Sequence, residues 1–108
     1  MASNLMLISS APGTKNFLRA FSLAENIKGN GNSVTLFLIQ DGVRAVVDKG
    51  ASVLNKLISS GVMCYVLEED LRMRGFKTGS LLPKVELVGY NELVELMAAE
   101  GVSTLGAF

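Results

Sequence analysis

The sequence predicts an α/β fold: a single three-layer α/β/α domain over residues 1–108, built on a mostly parallel sheet of four or five strands. Three observations carry this. Short apolar runs alternate with segments whose apolar residues recur at helical spacing, the mark of repeated strand–helix–strand units. The first run, Leu5 to Ile8, is apolar throughout, as strands covered on both faces are. Glycine and asparagine clusters punctuate the chain between them.

Each element can be justified in turn. Leu5-Met6-Leu7-Ile8 reads as the first strand, and Ser9-Ser10-Ala11-Pro12-Gly13-Thr14 as a loop. Thr14 is an N-cap for a helix from Lys15 to about Lys28, whose buried face is Phe17, Ala20, Phe21, Ala24 and Ile27. Gly29-Asn30-Gly31-Asn32 turns the chain into a second strand, Val34-Thr35-Leu36-Phe37-Leu38-Ile39. Gln40-Asp41-Gly42 breaks that strand. Asp41 then caps a helix carrying Val43, Val46 and Val47, with Gly42 permitting a tight turn and Lys49-Gly50 closing it. Ser52 caps another helix, with Val53, Leu54, Leu57 and Ile58 inward and Gly61 as its stop.

A third strand covers Val62 to Leu67, and a short helix follows it at once. After a polar connector at residues 77–82 and Pro83, Val85-Glu86-Leu87-Val88 is a shorter fourth strand. Asn91 caps the last helix, which bears an apolar stripe of Leu93, Val94, Leu96 and Met97 and ends at Gly101. Val102 to Phe108 is either a tail or an edge strand. Strand order is left open by these patterns, and Leu7, Leu36, Leu38, Val62 and Val66 are expected to be buried together in the sheet.

Composition narrows the function. With 49% apolar and 19% charged residues the chain can build a real core. Ten basic residues balance ten acidic ones, which argues against strong direct binding to nucleic acid, although net charge says nothing about distribution. Zero net charge also favours association, so a homo-oligomer is possible. One cysteine rules out an internal disulfide and a cysteine-built metal site. The lack of histidine removes Ser-His-Asp and Cys-His machinery and the usual zinc ligands, so neither metal nor cofactor is expected. Met1-Ala2-Ser3-Asn4 lacks the basic start of a signal peptide, and no apolar run is long enough to span a bilayer. A cytoplasmic protein with no membrane partner is expected.

The most informative stretch is Val62 to Phe76. An apolar strand holding the only cysteine meets Glu68-Glu69-Asp70, then Arg72 and Arg74, then Gly75. Acids in the first turn and cations in the last suit a helix dipole, and Asp70 and Arg74 are spaced for a pair on one helix face. Strand-to-helix junctions are where open α/β sheets place their sites. The same reasoning makes Gln40, Asp41 and Gly42, after the second strand, candidates to line a crevice.

Two motifs together resemble a known family. Leu38-Ile39-Gln40-Asp41-Gly42-Val43 with Ala45-Val46-Val47-Asp48 is similar to the "LLQDGV…AVD" signature of the DsrH/TusB proteins. Tyr65, Leu67, Glu69-Asp70-Leu71 and Arg74-Gly75 resemble that family's "vYaL.eDl.aRGl" segment, and Tyr90-Asn91-Glu92-Leu93-Val94-Glu95-Leu96 its "dY.dfV.L" segment. The resemblance implies a DsrE/DsrF/DsrH-like, Rossmann-like fold and an accessory subunit of a sulfur-relay complex. Its implied partners are DsrE/TusD-like and DsrF/TusC-like subunits, with tRNA at most an indirect one. The implied process is persulfide sulfur transfer, as in 2-thiolation of the tRNA wobble uridine or in dissimilatory sulfur oxidation. Two departures leave both branches open: the loop after the first strand has no cysteine, and the last residue is Phe108 where TusB-type chains tend to end in tryptophan.

Every candidate has a plain structural reading. Cys64 is the obvious persulfide site, because a relay needs a thiolate. It lies within a strand, near three carboxylates that oppose a thiolate, and free cysteine often packs as a small hydrophobe. The structural reading is favoured. Asp41 and Gly42 read as cap and turn. Glu69, Asp70 and Arg74 are candidates to dock a partner, against a surface helix pair worth about 0.3–0.5 kcal/mol. Ala11-Pro12-Gly13-Thr14-Lys15 fits neither phosphate-loop nor dinucleotide spacing. Two other functions stay open: a persulfide carrier acting through Cys64, and a small nucleotide- or metabolite-binding protein using the crevice near Asp41 and Leu67.

Overall fold

The computed structural model describes residues 3–46, 52–76, 85–99 and 101–107, with side chains at most of them. Its elements run β1 (Ser3–Ile8), α1 (Lys15–Gly29), β2 (Ser33–Leu38), a 3-10 helix (Gln40–Val46), α2 (Ser52–Ser59), β3 (Met63–Leu67), α3 (Glu68–Met73), β4 (Val85–Val88), α4 (Tyr90–Ala98) and β5 (Val102–Ala107). The residues assigned above to Met1, Ala2, Val47, Asp48, Lys49, Gly50, 77–82, Pro83 and Phe108 lie outside this description. So do the side chains of Ser52 and Val53.

The strands form one sheet in the order β4-β3-β2-β1-β5, and every neighbouring pair is parallel. The end of the chain is therefore an edge strand, not a tail. This order explains how the helices are distributed. From β1 to β4 each crossover steps the same way across the sheet, and right-handed connections put all the intervening helices on one face. The last connection steps back from β4 to β5, so α4 lies on the other face. Core packing follows the same division. Phe17, Ala20, Phe21 and Ala24 of α1, Leu54, Leu57 and Ile58 of α2 and Leu71 of α3 pack with Met6, Ile8, Val34, Leu36, Leu38, Cys64 and Val66. On the opposite face Leu5, Phe37 and Leu67 form a smaller cluster, against which Leu93 and Leu96 of α4 are half-buried.

Three sequence readings change here. Leu7 does not share a core with Leu36, Leu38 and Val66: the two-residue strand period turns it to the α4 face, where it is half-buried. The helix expected after β2 is a 3-10 helix that begins at Gln40, so Asp41 lies in its first turn and does not precede it as a cap. The α4 stripe is split: Leu93 and Leu96 face the sheet, whereas Val94 and Met97 are exposed.

The helix ends have clear local causes. Thr14 caps α1, its Oγ1 accepting the Phe17 N–H at 3.2 Å while the hydroxyl donates to the Ala11 carbonyl at 2.9 Å. The chain leaves α1 through Gly31 at φ 85, a conformation glycine adopts without Cβ strain. Asn91 does not cap α4. The helix starts two residues earlier, at Tyr90 with Gly89 as its cap, and the Glu92 carboxylate reaches back to accept the Gly89 N–H at 3.0 Å.

Candidate functional site at the C-terminal edge of the sheet

Strands of a parallel sheet all end at one edge, so the turns after β1, β2, β3 and β4 gather there. β2 passes through Ile39 into the 3-10 helix, and β3 enters α3 with no residue between them. Register places Leu38 beside Val66. The starts of the two helices therefore meet.

Asp70 joins them. Among the described residues it is the one charged side chain that is buried, at 8% exposure. Its Oδ2 accepts the Gln40 backbone N–H at 2.7 Å. Its Oδ1 lies 3.9 Å from Arg74 Nη1, and Arg74 Nη1 also donates to the Asp70 carbonyl at 3.3 Å. Arg74 Nε donates to Asp41 Oδ1 at 3.1 Å, so one guanidinium spans both helices. The pair foreseen between Asp70 and Arg74 exists, but it is not the surface pair expected, because Asp70 is shielded and its shorter bond is to a backbone N–H. Arg72 and Glu68, farther out on α3, form the exposed i, i+4 pair instead.

The Gln40-Asp41-Gly42 turn works differently from the cap-and-turn reading. Gln40, not Gly42, takes the left-handed conformation, at φ 48. Asp41 is directed to Arg74. Gly42 is needed for closeness: a Cβ there would sit inside van der Waals contact of the Ile8 carbonyl oxygen and 3.0 Å from its carbonyl carbon. That same oxygen accepts the Ile39 N–H at 2.9 Å, so it is not free to move away.

Gln40, Asp41, Asp70 and Arg74 thus form one connected network, with Gly42 wedged beside it. Glu69 is exposed next to the network. Tyr90, part of the "dY.dfV.L"-like segment but not one of the candidate site residues, also belongs to this edge. Tyr90 has its pKa raised chiefly by the Asp70 carboxylate, then by desolvation, then by Glu69. The available signal was positional: Gly89-Tyr90 follows β4 as Gln40 follows β2. Cavities of about 250 Å³, lined by Asp41, Arg44, Arg74 and Phe76, and about 400 Å³, lined by Glu68, Glu69, Arg72 and Gly89, flank the network. Most residues of each lining carry a charge, with Asp41 paired to Arg74 in the first and Glu68 to Arg72 in the second.

Cys64 lies apart from this edge. It sits mid-strand, between Leu36 of β2 and Val85 of β4, and faces the α1–α2 side of the core at 2% exposure. Burial pushes its thiol from an ordinary value near 9 up to about 12, because the thiolate would lose its hydration there. Among the described residues no group of three or more His, Cys, Asp or Glu side chains is placed to hold a metal ion. No helix among them is long and apolar enough to cross a membrane.

Comparison with known proteins places this geometry. Residues 18–102 match the family described as DsrH like protein. The chain is 41% identical over 61 residues to Protein TusB of Serratia proteamaculans, covering 56% of this chain and 62% of that relative. It is 36% identical over 70 residues to Protein TusB of Pectobacterium carotovorum, covering 65% and 72%. The match thus spans less than two-thirds of the Serratia relative's length. In fold the chain is similar to the ychN protein from E. coli, with a TM-score of 0.83 at 22% identity over 97% of this chain and 100% of that one. It is also similar to MTH1491, a protein of unknown function from Methanobacterium thermoautotrophicum, at 0.81 and 17% over 95% and 97%.

Proposed function

Because the chain belongs to the DsrH family, we propose that it is an accessory subunit of a sulfur-relay complex, one that binds related subunits and does not itself carry the sulfur. One observation carries the second half of this reading. A relay cysteine must present a thiolate to its donor and acceptor, and the only cysteine of this chain is buried with its thiol pushed up to about 12. At neutral pH it is protonated and out of reach of a partner's persulfide. The loop after β1 offers no substitute, since Ser9-Ser10-Ala11-Pro12-Gly13-Thr14 contains no thiol.

The partners are then subunits of the TusD and TusC kind, and the similarity to proteins named TusB supports the tRNA-thiolation branch over dissimilatory sulfur oxidation. The work would be cytoplasmic and carried by this one domain. The candidate contact surface is the network of Gln40, Asp41, Gly42, Asp70 and Arg74 with Glu69 beside it. Hydrogen bonds hold its helix starts in fixed positions, and such preorganisation lowers the cost of docking.

The test is transfer of labelled sulfane sulfur from a persulfide donor to the purified chain. The native chain is expected to stay unlabelled, and Cys64→Ala to leave assembly with TusD- and TusC-like subunits and sulfur flux through the complex intact. Rapid stoichiometric labelling, lost in a folded Cys64→Ala variant, would make the chain a carrier instead.

A further inference from the structure

The zero net charge of this chain conceals an uneven distribution among its helices. On one side, α1 and α2 carry Lys15, Arg19, Lys28 and Lys56 against Glu25 alone, while α3 adds Glu68, Glu69 and Asp70 against Arg72. On the other, β4 and α4 carry Glu86, Glu92 and Glu95 and no base. Glu86 belongs to this acidic side because it pairs with Tyr65, which packs on the α4 face.

Each layer also presents apolar side chains to solvent. Tyr90, Val94 and Met97 are 51%, 62% and 45% exposed. Their spacing of four and three residues aligns them as a second stripe on α4, separate from the Leu93 and Leu96 that pack on the sheet. On α1, Leu18 and Leu23 are exposed on either side of the outward Lys15 and Arg19.

We propose that the α4 stripe of one copy docks on the outer face of α1 of a second copy. Charge selects this pairing. α4 against α4 would oppose Glu92 and Glu95 to themselves, and α1 against α1 would oppose Lys15 and Arg19. Only α1 against α4 sets bases beside acids around the apolar contacts, and like charges in register disfavour the other two. The two helices cover opposite faces of the sheet, so each contact leaves one α1 and one α4 free. The association is head-to-tail, and it grows into a ring or an open chain of copies instead of stopping at a two-fold dimer. This inference does not rest on the sulfur-relay reading: labelling tests that one and mass tests this one.

The experiment is light scattering of the purified full chain across a wide concentration range, at low and high salt. The expected mass rises above one chain and beyond two with concentration, and falls with added salt. Arg19→Glu and Glu95→Arg, both at exposed positions, are each expected to weaken self-association by roughly tenfold or more without moving the urea midpoint. An equimolar mixture of the two variants is expected to associate again, because each variant's α1 then meets an opposite charge on the other's α4. Val94→Asp is expected to abolish association. A monomer at every concentration would overturn the proposal, as would variants that associate like the wild type or a mixture that stays apart. Loss in Glu95→Arg with none in Arg19→Glu would also overturn it, because α1 would then not be the surface that α4 meets.

Discussion

Replacing Asp70 by alanine tests whether the edge network is structural or superficial. The substitution leaves the Gln40 N–H without the acceptor it has at 2.7 Å and removes one of the two carboxylates that hold Arg74. A shielded hydrogen bond to a charged acceptor contributes about 1.5–3 kcal/mol, while an exposed i, i+4 pair contributes only about 0.3–0.5 kcal/mol. The structure therefore predicts a loss several times larger than helix spacing alone would. At about 4–8 °C per kcal/mol for a domain near 100 residues, the melting temperature should fall by roughly 6–24 °C. Asp70→Asn keeps an oxygen for the Gln40 N–H but not the charge, and is expected to lie between wild type and Asp70→Ala. Urea denaturation followed by circular dichroism reads all three. A loss below about 0.5 kcal/mol in Asp70→Ala would mean that Asp70 is only a surface partner of Arg74 and that the two helix starts are held by something else.

Leu36 is fully buried in β2, so Leu36→Ala should cost about 2–5 kcal/mol in the same assay; a loss below half a kilocalorie would displace the second strand from the core. Gly42→Ala forces a methyl group against the Ile8 carbonyl and is expected to cost at least about 1–3 kcal/mol, although alanine is ordinarily the better helix former. A Gly42→Ala variant as stable as the wild type, or more so, would refute the close approach. Cys64 should react slowly with a thiol reagent at neutral pH and rapidly once unfolded. Its linkage to stability has a definite sign. Below pH 9 the thiol is protonated whether the chain is folded or not; between about 9 and about 12 the unfolded chain releases the proton and the folded one keeps it, so stability falls as pH rises. Comparing wild type with Cys64→Ala at pH about 8 and about 10.5 isolates that loss, and an unchanged difference would contradict the burial.

Much of the fold is written in local pattern. β1 to β4 are apolar runs between glycines and polar turns, and α1 shows its core face at helical spacing, so both kinds of element were legible along the chain. Lateral order was not: nothing in Val34 to Leu38 indicates that β1 lies on one side and β3 on the other, because parallel strands buried on both faces read alike. The site divides in the same way. Gln40, Asp41, Asp70 and Arg74 were singled out by their places after strands, which the parallel register then brought together. Their contacts were hidden because the acceptor of the Gln40 N–H lies thirty residues away. Gly42 resembled a turn glycine, and only the position of Ile8 shows that it is there for lack of a side chain. Tyr90 stands in a segment that resembles the family's, but nothing in its spacing sets it beside Asp70, because the two meet only through the fold.

The strand order has a consequence for the chain as it is synthesised. β1 emerges first and pairs with β2 soon after, yet its other edge is matched only by β5, where Ser3 meets Val102. Until residues 102–107 leave the ribosome, β1 is an open border strand with Leu5, Met6 and Ile8 beside unpaired backbone groups, a template for pairing with a stranger. When β5 arrives it closes the strand pairing most separated in sequence among the described residues, and the strand that spent longest exposed becomes an interior one. The newborn chain is therefore most vulnerable just before β5 emerges, when most of the sheet exists and its oldest strand is still unguarded.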